Sequence, residues 1–363
     1  MIHTGMPATL TAAVVGAGTG GRLSMQGLAA SERFELVAVA DLREKARREA
    51  EASHPGVRTF ASHKEMFAHC QPDIVCVSTW PPSHLEVTRD ALDLPLKGIL
   101  VEKPLADNSR DGLEILEQVR ARKLPLAVPH GLLVAEHVRQ IIDLVQQGRI
   151  GELKLVEIEC TGWDILNAGV HWLNFFVVLT RGEAVEWVMA CCDTRTRTYR
   201  DGMQVETAAV TYVQMRSGVR VVMNTGDYVN ISHEGVGVLF RLVGTRGTVE
   251  FYGWEPCYRL LNEAHPRGRL IQVDPGPKTA HQRYLEALAD QVDCGQPDYA
   301  VAESSLAALE LCEAAYLSCK HGCMVSLPLS QFVVPPSAEW KPGRPYSGQG
   351  GGRDGRKLPS LDA

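Results

Sequence analysis

The sequence predicts an α/β protein in two parts, an N-terminal doubly wound parallel sheet followed by a C-terminal α/β domain with a large open, mainly antiparallel sheet. Three observations carry this. The run Ala12-Ala13-Val14-Val15 breaks directly into Gly16, Gly18 and Gly21, the form of a buried parallel strand ending in a phosphate-binding turn. Apolar runs then alternate with helix-compatible segments to about residue 130, as parallel sheets require. Beyond that point, Lys154–Cys160 and its successors alternate polar with apolar residues, as strands with one covered face do.

Taken in order, Gly16 permits a tight turn, Gly18 admits backbone close to a pyrophosphate, and Gly21 lets the next helix pack on the strand. Thr19 and Gly20 complete that turn. Its helix amides face the anion. The second strand, Phe34–Ala40, ends at Asp41, about 20 residues past the last glycine, where a carboxylate accepts ribose hydroxyls. Asp41 favours NAD, while Arg43 leaves NADP possible. The strand Asp73–Thr79 runs into Trp80-Pro81-Pro82-Ser83-His84, a loop at a strand's carboxyl end, where open sheets bind ligands. Trp80 there packs beside a nicotinamide or covers the core edge. Gly98–Val101 leads to Glu102-Lys103-Pro104, and a lysine at a buried strand end must be solvated, paired or used. Leu124–Val128 closes the domain.

The division expected is 1–130 for the cofactor domain, 131–332 for a substrate and oligomerisation domain, and 333–363 for a Pro/Gly-rich tail. The tail reads as disordered or as an arm laid on a neighbour. In the second domain a helix over Val134–Gly148 precedes strands at Ala184–Cys192, Val205–Met215, Val219–Thr225, Val236–Val243 and Thr248–Tyr252, and helices at Thr279–Cys294 and Ala302–Lys320 follow.

The 363 residues suit two domains, and a net charge of −6 gives no footprint for nucleic acid or an anionic membrane. No run approaches the length of a transmembrane helix, and no basic residues mark a signal peptide before Ala12. The expectation is a cytoplasmic protein whose ten cysteines are reduced.

Asp164, Asn167, His171 and Asn174 form a polar stripe on an otherwise apolar segment, within roughly 80° of arc at helical spacing. Hydrogen-bonding groups on a buried helix need partners, and a cavity holding a polyhydroxylated ligand supplies them. Asp164, after Gly162-Trp163, also reads as a helix cap.

The glycine turn, the Thr79 to His84 loop, Glu102-Lys103-Pro104 and Gly169-x-His171 together resemble the Gfo/Idh/MocA oxidoreductases. The segment Asp298–Leu329 is similar to that family's closing helix and strand. The resemblance implies a Rossmann domain, a second domain whose open sheet serves a homodimer or homotetramer, and hydride transfer between NAD(P) and a hydroxyl-bearing carbon. The substrate it implies is a small sugar, cyclitol or derivative. By this resemblance Lys103 bonds the reacting oxygen and His171 is the acid/base, with Asp164, Asn167 and Asn174 beside the substrate. Thr79, Trp80, His84 and Glu102 join the cofactor contacts. The family usually has Asp where this chain has Asn167 and Asn174, which predicts a less basic His171 unless Asp164 supplies the charge. A redox-neutral enzyme using tightly held NAD, and a non-catalytic NAD-binding subunit, are the alternative readings.

Overall fold

The computed structural model describes residues 9–193, 198–227, 229–231 and 237–334; the expectation for the tail lies, from residue 335 on, outside them. The chain up to Phe332 is one compact unit. Its first sheet contains β1 (Leu10–Val15), β2 (Phe34–Ala40), β3 (Arg58–Phe60), β4 (Ile74–Val77), β5 (Gly98–Val101) and β6 (Leu126–Ala127). These are interleaved with α1 (Thr19–Ala29), α2 (Glu44–Ser53), α3 (His63–His69), α4 (His84–Ala91) and α5 (Ser109–Ala121). The order is β3-β2-β1-β4-β5-β6, parallel throughout. β4 and β5 are buried at every position, which is why they read as unbroken apolar runs. The order reverses between β1 and β4, so the loops after β1, β2, β4 and β5 converge at the switch point where such sheets bind ligands.

After α6 (Glu136–Gln146) come β7 (Leu153–Thr161), α7 (Val170–Leu179), β8 (Val185–Cys192), β9 (Thr198–Arg200), β10 (Met203–Val205), β11 (Ala208–Met215) and β12 (Arg220–Gly226). Then follow β13 (Val238–Gly244), β14 (Gly247–Tyr252), β15 (Cys257–Asn262), β16 (His265–Gln272), α8 (Ala280–Cys294), α9 (Ala300–His321) and β17 (Val325–Ser326). The second sheet is ordered β16-β15-β14-β13-β7-β12-β11-β8-β17. Only β12 with β7 runs parallel among its described pairs. One face packs under α7 and α9. The opposite face keeps Met189 and Val210 exposed beside a Trp187–Tyr212 stack.

Four features differ from the sequence reading. Helix α8 does not stay with the second domain: Tyr284, Leu285, Leu288 and Ala289 join the apolar cluster of β1 and α1, and Arg33 pairs with Asp290 and Asp293 at 2.9 and 2.6 Å. Strands β15, β16 and the short β9–β10 hairpin were not foreseen, although Asp201-Gly202, both at positive φ, is the turn chemistry that closes such a hairpin. Residues Ile165–Gly169 form a widened π-helical turn rather than the start of one α-helix. Cys192 on β8 and Cys319 on α9 are joined as a disulfide with Cα atoms 5.9 Å apart. The expectation of reduced thiols therefore fails for that pair, whose separation of 127 residues hides it from a local reading.

Candidate active site

The glycine turn is shaped by contacts that leave no room for a side chain. A Cβ on Gly21 would stand 1.8 Å from the Gly16 carbonyl oxygen, and one on Gly16, at φ +92°, would stand 2.5 Å from that of Ser78. Gly18 differs. Its Cβ would meet only the Arg43 guanidinium, at 3.9 Å, so the space above it is open. Gly18 caps α1 with no side-chain acceptor, and the first turn of α1, which holds Thr19 and Gly20, carries no acidic residue. Its free amides are therefore available to an anion. They open on a cavity of about 550 Å³ lined by Gly16, Gly18, Asp41, Arg43, Thr79 and Trp80, among others. A dinucleotide fits this arrangement, with pyrophosphate at the amides and ribose near Asp41.

Asp41 accepts from the Ala17 amide at 2.8 Å and from the Arg43 amide at 2.8 Å, and the Arg43 guanidinium folds onto it at 3.2 Å. Burial pushes its carboxyl up, but the Arg43 and Ala17 bonds outweigh that and hold it below its ordinary value. Thr79 lines the same cavity, bonded to Ser83. Trp80 stands 64% exposed at the mouth and touches Gly202 of the hairpin.

Two residues expected at the cofactor are bracing residues instead. His84 is fully buried, with Nδ1 3.1 Å from the Pro104 carbonyl and Nε2 3.0 Å from that of Thr79, and it ties the loops after β4 and β5 together. Glu102 lies buried beneath Gly20 and bonds His281 of α8 at 2.6 Å. Burial raises the Glu102 carboxyl, and the His281 bond more than reverses it.

Lys103 reaches from the end of β5 to the other domain, where Nζ donates to the Asn167 carbonyl at 3.2 Å, one turn before His171. Burial pulls its ammonium below the ordinary value, against the pull of Glu102, Asp201 and Asp164. His171 has its Nδ1 buried and without a partner. Burial first, then the positive neighbour Lys103, with His130 and His281, drive its pKa well below the ordinary imidazole value.

The rest of the stripe turns inward. Asp164 is the cap: one oxygen accepts the Leu166 and Asn167 amides at 3.0 and 2.7 Å, and the other the Arg200 guanidinium at 2.8 Å. The Asn167 amide also donates to Asp164. Asn174 is fully buried and accepts from Ser304 of α9 at 3.3 Å. The widened turn explains the change of register for the first two: Gly169 N–H bonds the Asp164 carbonyl five residues back, so α-helical spacing no longer aligns Asp164 and Asn167 with His171. No carboxylate among the described residues bonds His171, and the possibility that Asp164 supplies its charge is corrected.

Sequence reasoning missed His130, Arg200 and His281. His130 lies just past the strand Leu124–Val128, in no motif, though its ring lies perpendicular to that of His171 at 5.1 Å between centroids. Arg200 lies on the unforeseen hairpin, stacked on Trp163 at 4.3 Å. Neither has a local sequence signature, because each is brought in by tertiary packing.

Residues 10–130 match the model of the Gfo/Idh/MocA family, described as an oxidoreductase family with an NAD-binding Rossmann fold. The rhizopine catabolism protein MocA of Rhizobium meliloti is 24% identical over 320 residues, 83% of this chain and 92% of that protein. Trans-1,2-dihydrobenzene-1,2-diol dehydrogenase of Danio rerio is 25% identical over 253 residues, 64% of this chain and 71% of its own. In fold, the chain is similar to levoglucosan dehydrogenase solved with NADH and levoglucosan, at a TM-score of 0.76 and 14% identity, over 88% of this chain and all (100%) of that one. Among the described residues no helix is long and apolar enough to cross a membrane. The glycine turn and the switch-point cavity thus lie in the part of the chain, residues 10–130, that matches the NAD-binding Rossmann domain of the Gfo/Idh/MocA oxidoreductase family, and the fold as a whole is similar to solved oxidoreductases of the same architecture.

Proposed function

We propose that the protein moves hydride between a nicotinamide and a hydroxyl-bearing carbon of a neutral sugar, cyclitol or related compound. The observation that supports this most is the bridge from Lys103 to the Asn167 carbonyl, which brings an ammonium from the cofactor domain beside His171 of the second domain. NAD held over the glycine turn supplies the hydride acceptor or donor. In the oxidative direction the Lys103 ammonium donates to the carbinol oxygen, and neutral His171 takes its proton through Nε2. A histidine this depressed is a weak base, so in the reverse direction its protonated form gives the proton to a ketone readily. Relatives named for a dihydrodiol and an anhydrosugar agree with a vicinal hydroxyl substrate. We further propose that the open sheet face, with Trp187, Met189, Val210 and Tyr212, is covered by a second copy of the chain.

The test is a panel of sugars, cyclitols and diols with NAD and with NADP, followed by absorbance of the reduced nicotinamide. Turnover of at least one substrate, abolished in Lys103→Met and His171→Ala proteins that still bind NAD, is expected. No turnover with either cofactor across the panel sinks the reading.

A further inference from the structure

Three carboxylates are buried among the described residues, and each is engaged by partners other than His171. Asp164 serves its cap and Arg200, Glu102 holds His281, and Glu206 accepts the Ile165 amide and the Tyr316 hydroxyl, both at 2.7 Å. The ring that does stand against His171 is His130, edge to face at 85°. His130 is itself fixed. It is fully buried, its Nε2 lies 2.8 Å from Ser305 Oγ on α9, and its carbonyl accepts from the Tyr284 hydroxyl at 3.0 Å. The Nδ1 atoms of both rings are buried without hydrogen-bond partners, while His171 as a residue keeps partial exposure.

A neutral imidazole has one N–H and one lone pair, and the neighbour of one nitrogen decides the role of the other. We infer that His130 is a positioning residue for His171, holding its proton on Nδ1 so that the Nε2 lone pair faces the substrate. The perpendicular setting lets a ring N–H point at the π face of its neighbour, a weak hydrogen bond that a bare lone pair there would not make. His130 suits this role because it stays neutral: burial, and then Lys103, push its pKa down to about 3. It stands against His171 without the negative charge that would make His171 basic. The inference rests on reading His171 as the acid/base.

The experiment uses full-length protein carrying isotope-labelled histidine, with ring nitrogen NMR to report which atom bears the proton; the His171 signals are assigned by their loss in His171→Gln. Wild type is expected to show Nδ1–H and an Nε2 lone pair at His171. In His130→Leu the proton moves to Nε2, the form free side chains favour, and His130→Phe, which keeps an aromatic face against His171, restores the wild-type pattern. Ser305→Ala, which frees His130 while leaving both rings in place, gives a mixture and serves if His130→Leu no longer binds NAD. A wild-type His171 protonated on Nε2, or the same proton position in His130→Leu and Ser305→Ala as in wild type, overturns the inference. The measurement needs no substrate. Its failure therefore leaves the redox reading standing, and an enzyme silent on every substrate with the expected proton position loses only the redox reading.

Discussion

The glycine turn and the segment from Asp164 to Asn174 are both short, and the sequence marks both. In the turn the constraint acts on backbone: Gly16 and Gly21 are set by their distances to Ser78 and to Gly16 itself, Gly18 stands under open space, and the motif's spacing encodes all three. In the polar segment the constraint acts on side chains, and their partners Arg200, Ser304 and Lys103 come from elsewhere in the chain. Local spacing therefore specifies the cofactor end of the site, while the substrate end is specified only by folding.

The largest test of that contrast lies within the turn. Gly21→Ala, with its Cβ at 1.8 Å from a carbonyl oxygen, is expected to cost about 3 kcal/mol or more, read as a drop in thermal midpoint. Gly18→Ala should fold with nearly unchanged stability and lose NAD affinity instead. Equal effects at the two positions would break the distinction between a packing glycine and a cradle glycine.

Next in size is Asp164→Ala, which removes a helix cap and half of an ion pair and is expected to cost about 2 to 3 kcal/mol. Because Asp164 bonds no atom of His171, the pH dependence of any turnover should keep its midpoint. A moved midpoint would return Asp164 to the acid/base machinery.

Stability itself should depend on pH through the substrate end. His130 and His171 bind protons in the unfolded chain near pH 6.5 but not in the folded one, where both values are lowered. Their contribution to stability is complete above pH 6.5 and falls below it, by about 1.4 kcal/mol per pH unit for each histidine. Denaturant titrations from pH 7 to pH 5 check this, and His130→Asn should make the decline shallower by one histidine's share.

The smallest effect concerns cofactor choice. Asp41→Ala removes the ribose acceptor and releases Arg43, and NAD is expected to bind about tenfold more weakly. NADP should gain relative to NAD, because a freed guanidinium meets its extra phosphate. Isothermal titration with both nucleotides measures it.

These particulars also show how far the sequence could be read. The parallel sheet was legible because its strands are buried on both faces and need no partner to be recognised. The cofactor groove was legible for Gly16 to Gly21, Asp41 and Thr79, less so for His84 and Glu102, whose positions the motif marks but whose side chains fasten loops. Strand β15 exposes Leu261 and β16 exposes Leu270 next to Arg269, so the alternation of polar with apolar residues is faint. His130 had no periodic context at all.

The return of α8 to the first domain has a consequence for how this protein can be divided. Gly27 of α1 lies so close to α8 that a Cβ there would stand 2.9 Å from the Gln282 amide nitrogen, and Leu285 and Leu288 are fully buried in the same contact. The cofactor-binding half is thus not an autonomous unit in chain order. A fragment ending at residue 130 would present a bare apolar groove along α1 and β5, whereas one to which residues 279–295 are rejoined by a linker would regain the missing wall. The same interleaving anchors the two halves at three points of the chain rather than one, which restricts any opening of the cleft to small rotations.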